Sequence, residues 1–343
     1  MAVRARLLVL VLVGVVAGCG SGGSSRPGSG LVDIGVGLRG PDGLKATVYA
    51  RGLRLASSFA FDAQGRLWVA TSGSESHGTD GVYLVAHRGA RPVKVISNVR
   101  GPLGLLWLDT TLYVASLGRV EAFRGLEGTR FAERRLVLRG PPGSGENNNI
   151  VLAPSGRILM GVSASCDHCE PPTRFSGAIV SFRPDGSRLE TYATRIRAPF
   201  GLAFVPGTAR LLVTMNQRDD LGAKTPGDWL AVVRPGQDWG FPGCYDQRGS
   251  ACAGVAKPLA VLDPHAAAGG VAVVTGRLGP TVGRAAIVAE WQRSKVLRVA
   301  LPSGAVAPFL TGLHNPLPVA VTRSGSVLVG DWGTGVVYEI SRK

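Results

Sequence analysis

Short apolar runs alternate with Gly- and Pro-containing turns along almost the whole chain, and after residue 18 no stretch sustains a helical period. The clearest unit is SFAFDAQGRLWVAT at 58–71, which predicts an apolar strand, a tight Gly-containing turn and a second apolar strand. GLLWLDTTLYVAS (104–116), NIVLAPSGRILMGVS (149–163), GLAFVPGTARLLVT (201–214) and VAVTRSGSVLVGD (319–331) repeat the unit, and 270–290 carries a degraded copy. The second strands are anchored near residues 67, 112, 158, 211, 287 and 327, giving spacings of 45, 46, 53, 76 and 40 residues. Such periods, built of short strands, belong to propeller blades of four strands each. The longest gap accommodates an insertion around Cys244 and Cys252.

Each unit also ends in an outer strand that leads into the next turn: VKVISNV, RLVLRG, LETYATRI, KPLAVLDP and VAPFLTGL. The sixth unit stops at VVYEISRK without one, and the missing strand is found instead at 44–53, LKATVYARGL. Lending the first strand to the last blade closes the ring and removes an open sheet edge. The expectation is an all-β, six-bladed β-propeller over 44–343, closed by an N-terminal strand. A sandwich or several small domains would leave the regular spacing unexplained.

The first residues change the picture of where this propeller works. Arg4 and Arg6 precede the apolar run LLVLVLVGVVA, which breaks at Gly18-Cys19. That is the plan of a secretory signal over 1–18. Small residues immediately before a cysteine resemble the bacterial lipobox, in which cleavage leaves Cys19 lipidated. GSGGSSRPGSG follows, so 19–43 is read as a flexible tether and the chain as an exported protein held to the membrane by a lipid anchor. A plain signal peptide or an uncleaved anchor are the alternatives.

In an oxidising compartment the four remaining cysteines, Cys166, Cys169, Cys244 and Cys252, favour disulfides. Local pairing, Cys166 with Cys169 and Cys244 with Cys252, is the simplest choice, although four cysteines allow ~3 connectivities. Zinc would call for a second pair at similar spacing, and a thioredoxin-type role for a strand-helix-strand context, and neither is present. Cleavage after residue 18 lowers the formal net charge from +15 to +13, with arginine dominant. The charges are scattered singly, without the basic runs interleaved with aromatics that nucleic-acid grooves use, so nucleic acid is not expected as a partner. Anionic lipid or acidic polymers are the partners such a charge attracts.

In a propeller the loops entering the inner strands and those joining second to third strands open on one face. Here the entry loops contribute Ser57, Pro102, the run Gly145-Glu146-Asn147-Asn148-Asn149, Arg197, His265 and His314-Asn315. The second-to-third loops contribute SGSESHGTD (72–80), SASCDHCEPPTRFSG (163–177), NQRDDLGAKTPGD (216–228), EWQRSK (290–295) and DWGTG (331–335). The opposite ends are mostly tight turns, so the polar end is the expected functional face. On it, Asp219 and Asp220 are candidate calcium ligands, or else a turn-forming acidic pair. His265 is a candidate general base, or else a capping residue. Arg197 suits an anionic ligand, because its planar fork binds carboxylates in pairs.

At these residues the sequence resembles the quinoprotein glucose/sorbosone dehydrogenases, six-bladed propellers that use pyrroloquinoline quinone and calcium, and is most similar to the sorbosone dehydrogenase-like branch. The resemblance is strongest over 149–245, through PSGRILMGVS, SCDHCE, FRPDGSRLETYATRIRAPFGLAF and NQRDDLGAKTPGDWLAVVRPGQDWGFPGCY in that order. It implies oxidation of a sugar or related aldehyde, with Arg197, Asn216 and Arg218 toward the quinone, Asp219 or Asp220 near calcium and His265 as a candidate base. The family's base histidine in the third entry loop is absent from GSGENNN (143–149), which makes Glu146 a second candidate. The family's fifth-blade lysine falls at Gln292 and the arginine opening its last inner strand at Leu317. Two further readings accompany this one: a propeller without redox catalysis that binds a carbohydrate or partner on the same face, and a calcium-dependent lactonase of similar architecture.

Overall fold

Each apolar alternation becomes a strand, and each repeat becomes a blade. The first blade pairs Ala56–Phe61, Leu67–Thr71, Gly81–Val85 and Val93–Ile96 in chain order, all antiparallel. Gly104–Leu108, Asn147–Leu152, Ala198–Phe204, Ala268–Thr275 and Pro316–Val321 are the inner strands of blades 2 to 6. Each inner strand touches the next, and the sixth touches the first, so the ring closes around a central channel. The computed structural model describes residues 30–73, 80–140 and 144–343. The expected signal segment, Cys19, the tether as far as residue 29 and the loop residues around His77 lie outside the described residues.

The closing strand is where the pattern puts it. Leu44–Ala50 pairs antiparallel with Val336–Arg342, in a register running from Arg342 opposite Leu44 to Val337 opposite Ala50. The expected tether, by contrast, ends earlier than residue 43. Val32–Gly35 and Leu38–Gly40 form a hairpin whose Arg39 exchanges backbone hydrogen bonds with Thr311 at 3.1 and 3.0 Å. Ile34 and Leu38 bury their side chains beside Phe309 and Leu310 on the outer edge of blade 5. Two apolar residues spaced to point inward outweigh the flexibility expected of the surrounding glycines.

The insertion in the longest gap has a comparable role. Gln237–Asp238 runs parallel to Glu190–Thr194 and adds a fifth strand to blade 3, covering that blade's outer edge. Trp239 and Cys244 bury beneath it, and the Cys244–Cys252 disulfide closes the loop that follows.

Stability is distributed among the blade junctions. Six apolar clusters are present among the described residues, each built from the facing sides of two adjacent blades. Every fully buried Val, Leu or Ile side chain in them contributes about 1.5–3 kcal/mol. Close approach of blades fixes some glycines. A Cβ on Gly161 would lie 2.1 Å from the Pro199 carbonyl oxygen of the next blade, and one on Gly201 2.5 Å from that of Gly269.

At the polar end a side chain on one blade donates to a backbone carbonyl of its neighbour at all six junctions. Ser57 donates to Pro102 at 2.6 Å, Asn147 to Ser116 at 2.8 Å and Asn148 to Pro199 at 2.9 Å. Thr214 donates to Gly269 at 2.7 Å, Asn315 to Trp291 at 3.0 Å and Trp332 to Ser72 at 3.0 Å. Much of the polar rim read as functional is therefore spent holding the ring together. The face itself is rigid as a result.

Candidate functional site

Inside this riveted ring lies a cavity of about 360 Å³ at the channel mouth. All six blades line it. Ser72 and Gly73 come from blade 1, Leu103 from blade 2, Glu146 and Ser163 from blade 3, and Arg197, Phe200 and Asn216 from blade 4. Ala267 to Gly269 and Trp291 come from blade 5, and Leu317 and Trp332 from blade 6. A larger groove of about 580 Å³ lies at the opposite end of blade 4, between Arg210, Arg234 and Lys257. None of its lining residues carries a buried polar side-chain atom without a partner among the described residues.

The chemistry of the mouth cavity rests on a few atoms. Trp291 and Trp332 meet edge to face, with ring centroids 5.4 Å apart, and form an apolar wall with Phe200, Leu103 and Leu317. Both tryptophans follow an acid that ends a second strand, Glu290 and Asp331. Each acid is buried and turns inward to accept backbone N–H groups, Asp263 at 3.1 Å for Glu290 and His314 at 2.9 Å for Asp331. That leaves the following indole at the rim. The E/D-W repeat in EWQRSK and DWGTG is the sequence signal of this wall.

Two polar atoms in the wall lack partners among the described residues. The Arg197 Nε–H is a buried donor without an acceptor, and the Asn216 Oδ1 is a buried acceptor without a donor. The Asn216 Nδ2 donates to the Ala268 carbonyl at 3.3 Å, which fixes the amide orientation and leaves the oxygen for something else. Glu146 shares the cavity with them. Protein crowding raises its carboxyl above the usual carboxylate range, with the Arg197 guanidinium pulling the other way, although the side chain stays open to solvent through the mouth. A recess of about 120 Å³ adjoins it and carries Arg100.

Asp228 was not singled out in the sequence. It is fully enclosed at the start of a third strand, accepting from Gln217 N at 2.8 Å and Ala268 N at 2.9 Å. Burial pushes its pKa up to about 7, against those two N–H groups. The carboxyl thus clamps the Asn216 loop to the Ala267–Gly269 wall. The clamp holds a strained segment, because His265 and Ala267 both adopt positive φ, 50° and 46°, which non-glycine residues seldom do.

The structure brings Glu146, Arg197 and Asn216 together and leaves the other expected site residues outside the cavity lining. Arg218 is committed to Asp220 through two bonds of 2.7 Å and lies over the Tyr245 ring at 4.9 Å. His265 has Nδ1 3.0 Å from an Asp219 carboxylate oxygen and Nε2 3.1 Å from the Gly222 carbonyl. Both ring nitrogens therefore sit against groups of the Asp219–Gly222 loop, and the ring is held outside the cavity lining. Asp219 and Asp220 are each held by these partners, and among the described residues no three His, Cys, Asp or Glu side chains group as a metal site would need. The cysteines pair locally, Cys166 with Cys169 and Cys244 with Cys252.

Pyrroloquinoline quinone carries three carboxylates, and the residues in place do not fit it. Arg197 is the only cation among the described lining residues, and it already contacts Asp167. Leu317 lines the cavity where the resemblance calls for a cation, and Gln292 stands at the other such position without reaching the lining.

Comparison with protein-family models and with curated proteins returns no match. Solved structures do match over nearly the whole chain. The PQQ-bound aldose sugar dehydrogenase of Streptomyces coelicolor superposes with a TM-score of 0.71 at 19% identity, over 89% of this chain and 100% of that one. The soluble aldose sugar dehydrogenase of Escherichia coli, in its apo form, gives 0.71 at 16% identity, over 88% and 100%. A carbohydrate-active enzyme of Trichoderma reesei, in its calcium structure, gives 0.73 at 14% identity, over 92% and 100%. At these identities the likeness is one of fold: this chain is a six-bladed β-propeller built on the plan seen in sugar dehydrogenases.

Proposed function

We propose that the protein is an exported, membrane-anchored propeller of the glucose/sorbosone dehydrogenase type whose channel-mouth cavity binds a sugar or a related polyhydroxy aldehyde. The carrying observation is the pairing of an unsatisfied donor, Arg197 Nε, with an unsatisfied acceptor, Asn216 Oδ1, beside an indole wall. A sugar hydroxyl both donates and accepts, and the C–H face of a pyranose lies well on an aromatic ring. The volume of about 360 Å³ suits one small sugar.

Glu146 is the residue placed to act on such a ligand. A carboxyl held above its usual range takes a hydroxyl proton more readily than an ordinary surface carboxylate, so Glu146 is the residue placed to accept a proton from a bound sugar. The Streptomyces and Escherichia structures of this fold are aldose sugar dehydrogenases, which supports the enzyme reading here. The second reading, carbohydrate binding without redox turnover, is favoured by the shortage of cations for a quinone. Dye reduction over a panel of aldoses, with and without pyrroloquinoline quinone and calcium, separates the two. Sugar-dependent reduction supports the dehydrogenase. Saturable sugar binding without reduction leaves the binding propeller, and the absence of both overturns the proposal.

A further inference from the structure

Arg197 lines the cavity with its Nε–H buried and without a partner, while Nη2, on the same fork of the guanidinium, donates to the Asp167 carboxylate. Asp167 lies between Cys166 and Cys169, whose disulfide closes a four-residue ring and fixes the backbone that carries this carboxylate. The contact therefore belongs to a stapled loop rather than to a free side chain. Asp167 also lies close enough to Arg218 to favour that guanidinium's charge, but Arg218 already gives its fork to Asp220. Arg197 is left as the partner that matters for the cavity.

Resting on the reading that the cavity takes a sugar, we propose that Asp167 is a specificity-determining residue: it caps the carboxylate-binding edge of Arg197 and so selects neutral sugars over sugar acids. The physical reason is the charge balance. A neutral sugar needs only the Nε–H, the Asn216 oxygen and the indole wall, none of which Asp167 occupies. A ligand carboxylate needs the paired N–H groups of the guanidinium, and it meets there a carboxylate of the protein's own chain, with Glu146 across the cavity. Either the ligand displaces Asp167 or it binds through one N–H against two like charges.

Glucose and glucuronate make the comparison, since they differ only in a hydroxymethyl group against a carboxylate. The test is calorimetric titration of both into the wild type, Asp167→Asn and Asp167→Ala. Asp167 is partly exposed and packs no core, so both variants keep the fold, which a thermal melt checks. The expected result is a gain of about ten- to a hundredfold for glucuronate, the value of a charge-assisted pair, with glucose changed by less than about threefold. Releasing the staple with Cys166→Ser/Cys169→Ser should shift glucuronate in the same direction by a smaller factor. Unchanged glucuronate affinity in both Asp167 variants, with glucose still binding, overturns the assignment while sparing the sugar reading. A failure of glucose to bind any of the proteins overturns the sugar reading and this inference with it.

Discussion

Asn148 carries more of the fold than its place in a polar loop suggests, and replacing it with alanine gives a number that can be checked. The side chain is completely buried, and its Nδ2 donates both to Ser163 Oγ and to the Pro199 carbonyl of the next blade, each at 2.9 Å. Each lost bond costs about 1 kcal/mol, and a Pro199 carbonyl left dry adds about 1 kcal/mol or more. Removing Asn148 Oδ1, buried without a partner, returns about 1 kcal/mol. The net expectation for Asn148→Ala is a loss of about 2 kcal/mol. With a urea slope near ~3 kcal/mol/M the unfolding midpoint falls by about 0.7 M, read by tryptophan fluorescence with refolding verified. Asn149→Ala is the comparison and should stay within about 0.5 kcal/mol, since its side chain makes neither bond. Because Glu146 precedes Asn148 by only two residues, the variant should also lower any sugar turnover. Equal midpoints for the two variants would refute the idea that the asparagine run is a rivet.

Three other outcomes can be checked. Asp228, with its pKa pushed up to about 7, retains in the folded chain a proton that the unfolded chain has already released, so stability should fall as pH rises from about 4 to about 7 and level off above. Asp228→Asn should flatten that fall, by about 4 kcal/mol at most, in thermal melts at pH 5 and pH 7.5; an equal slope in both proteins argues against a buried titrating carboxyl. Glu146→Gln should lower any sugar turnover by about a hundredfold while leaving sugar affinity within a few-fold, and wild-type turnover should rise with pH through a midpoint above the usual carboxylate range. Cys19→Ser should release the protein from membranes or block its processing, and fractionation that still finds it in the membrane contradicts the lipid anchor.

The blades were legible because a strand's two-residue period and a Gly-containing turn are local properties, and both recur here at regular spacing. The closing strand was legible for the complementary reason: the last repeat lacks a strand and the first residues supply one. Function was harder to read, since the same polar rim residues serve two ends. Ser57, Asn147, Asn148 and Asn315 look like ligand contacts along the chain, and the structure spends them on neighbouring carbonyls. Arg218, Asp219, Asp220 and His265 likewise satisfy one another across loops 40 residues and more apart in the case of His265, a cancellation no linear reading reveals. Arg197, Asn216 and Glu146 share one space because neighbouring blades 3 and 4 both present them at the channel mouth. Trp291 and Trp332 lie in loops that read as polar, and it is the buried acid before each that leaves the indole at the rim.

The claim on which the rest depends is that the channel mouth holds a sugar between Arg197 and Asn216. Calorimetric titration of glucose and other aldoses into the wild type and Arg197→Ala/Asn216→Ala tests it most directly. The account predicts saturable binding of at least one aldose at a single site in the wild type. In the double variant, two hydrogen bonds of about 1 kcal/mol each should be missing, so that affinity drops by about thirtyfold. Equal affinity in the two proteins, or no aldose bound by the wild type at about 10 mM (a free energy of only ~3 kcal/mol), would contradict it.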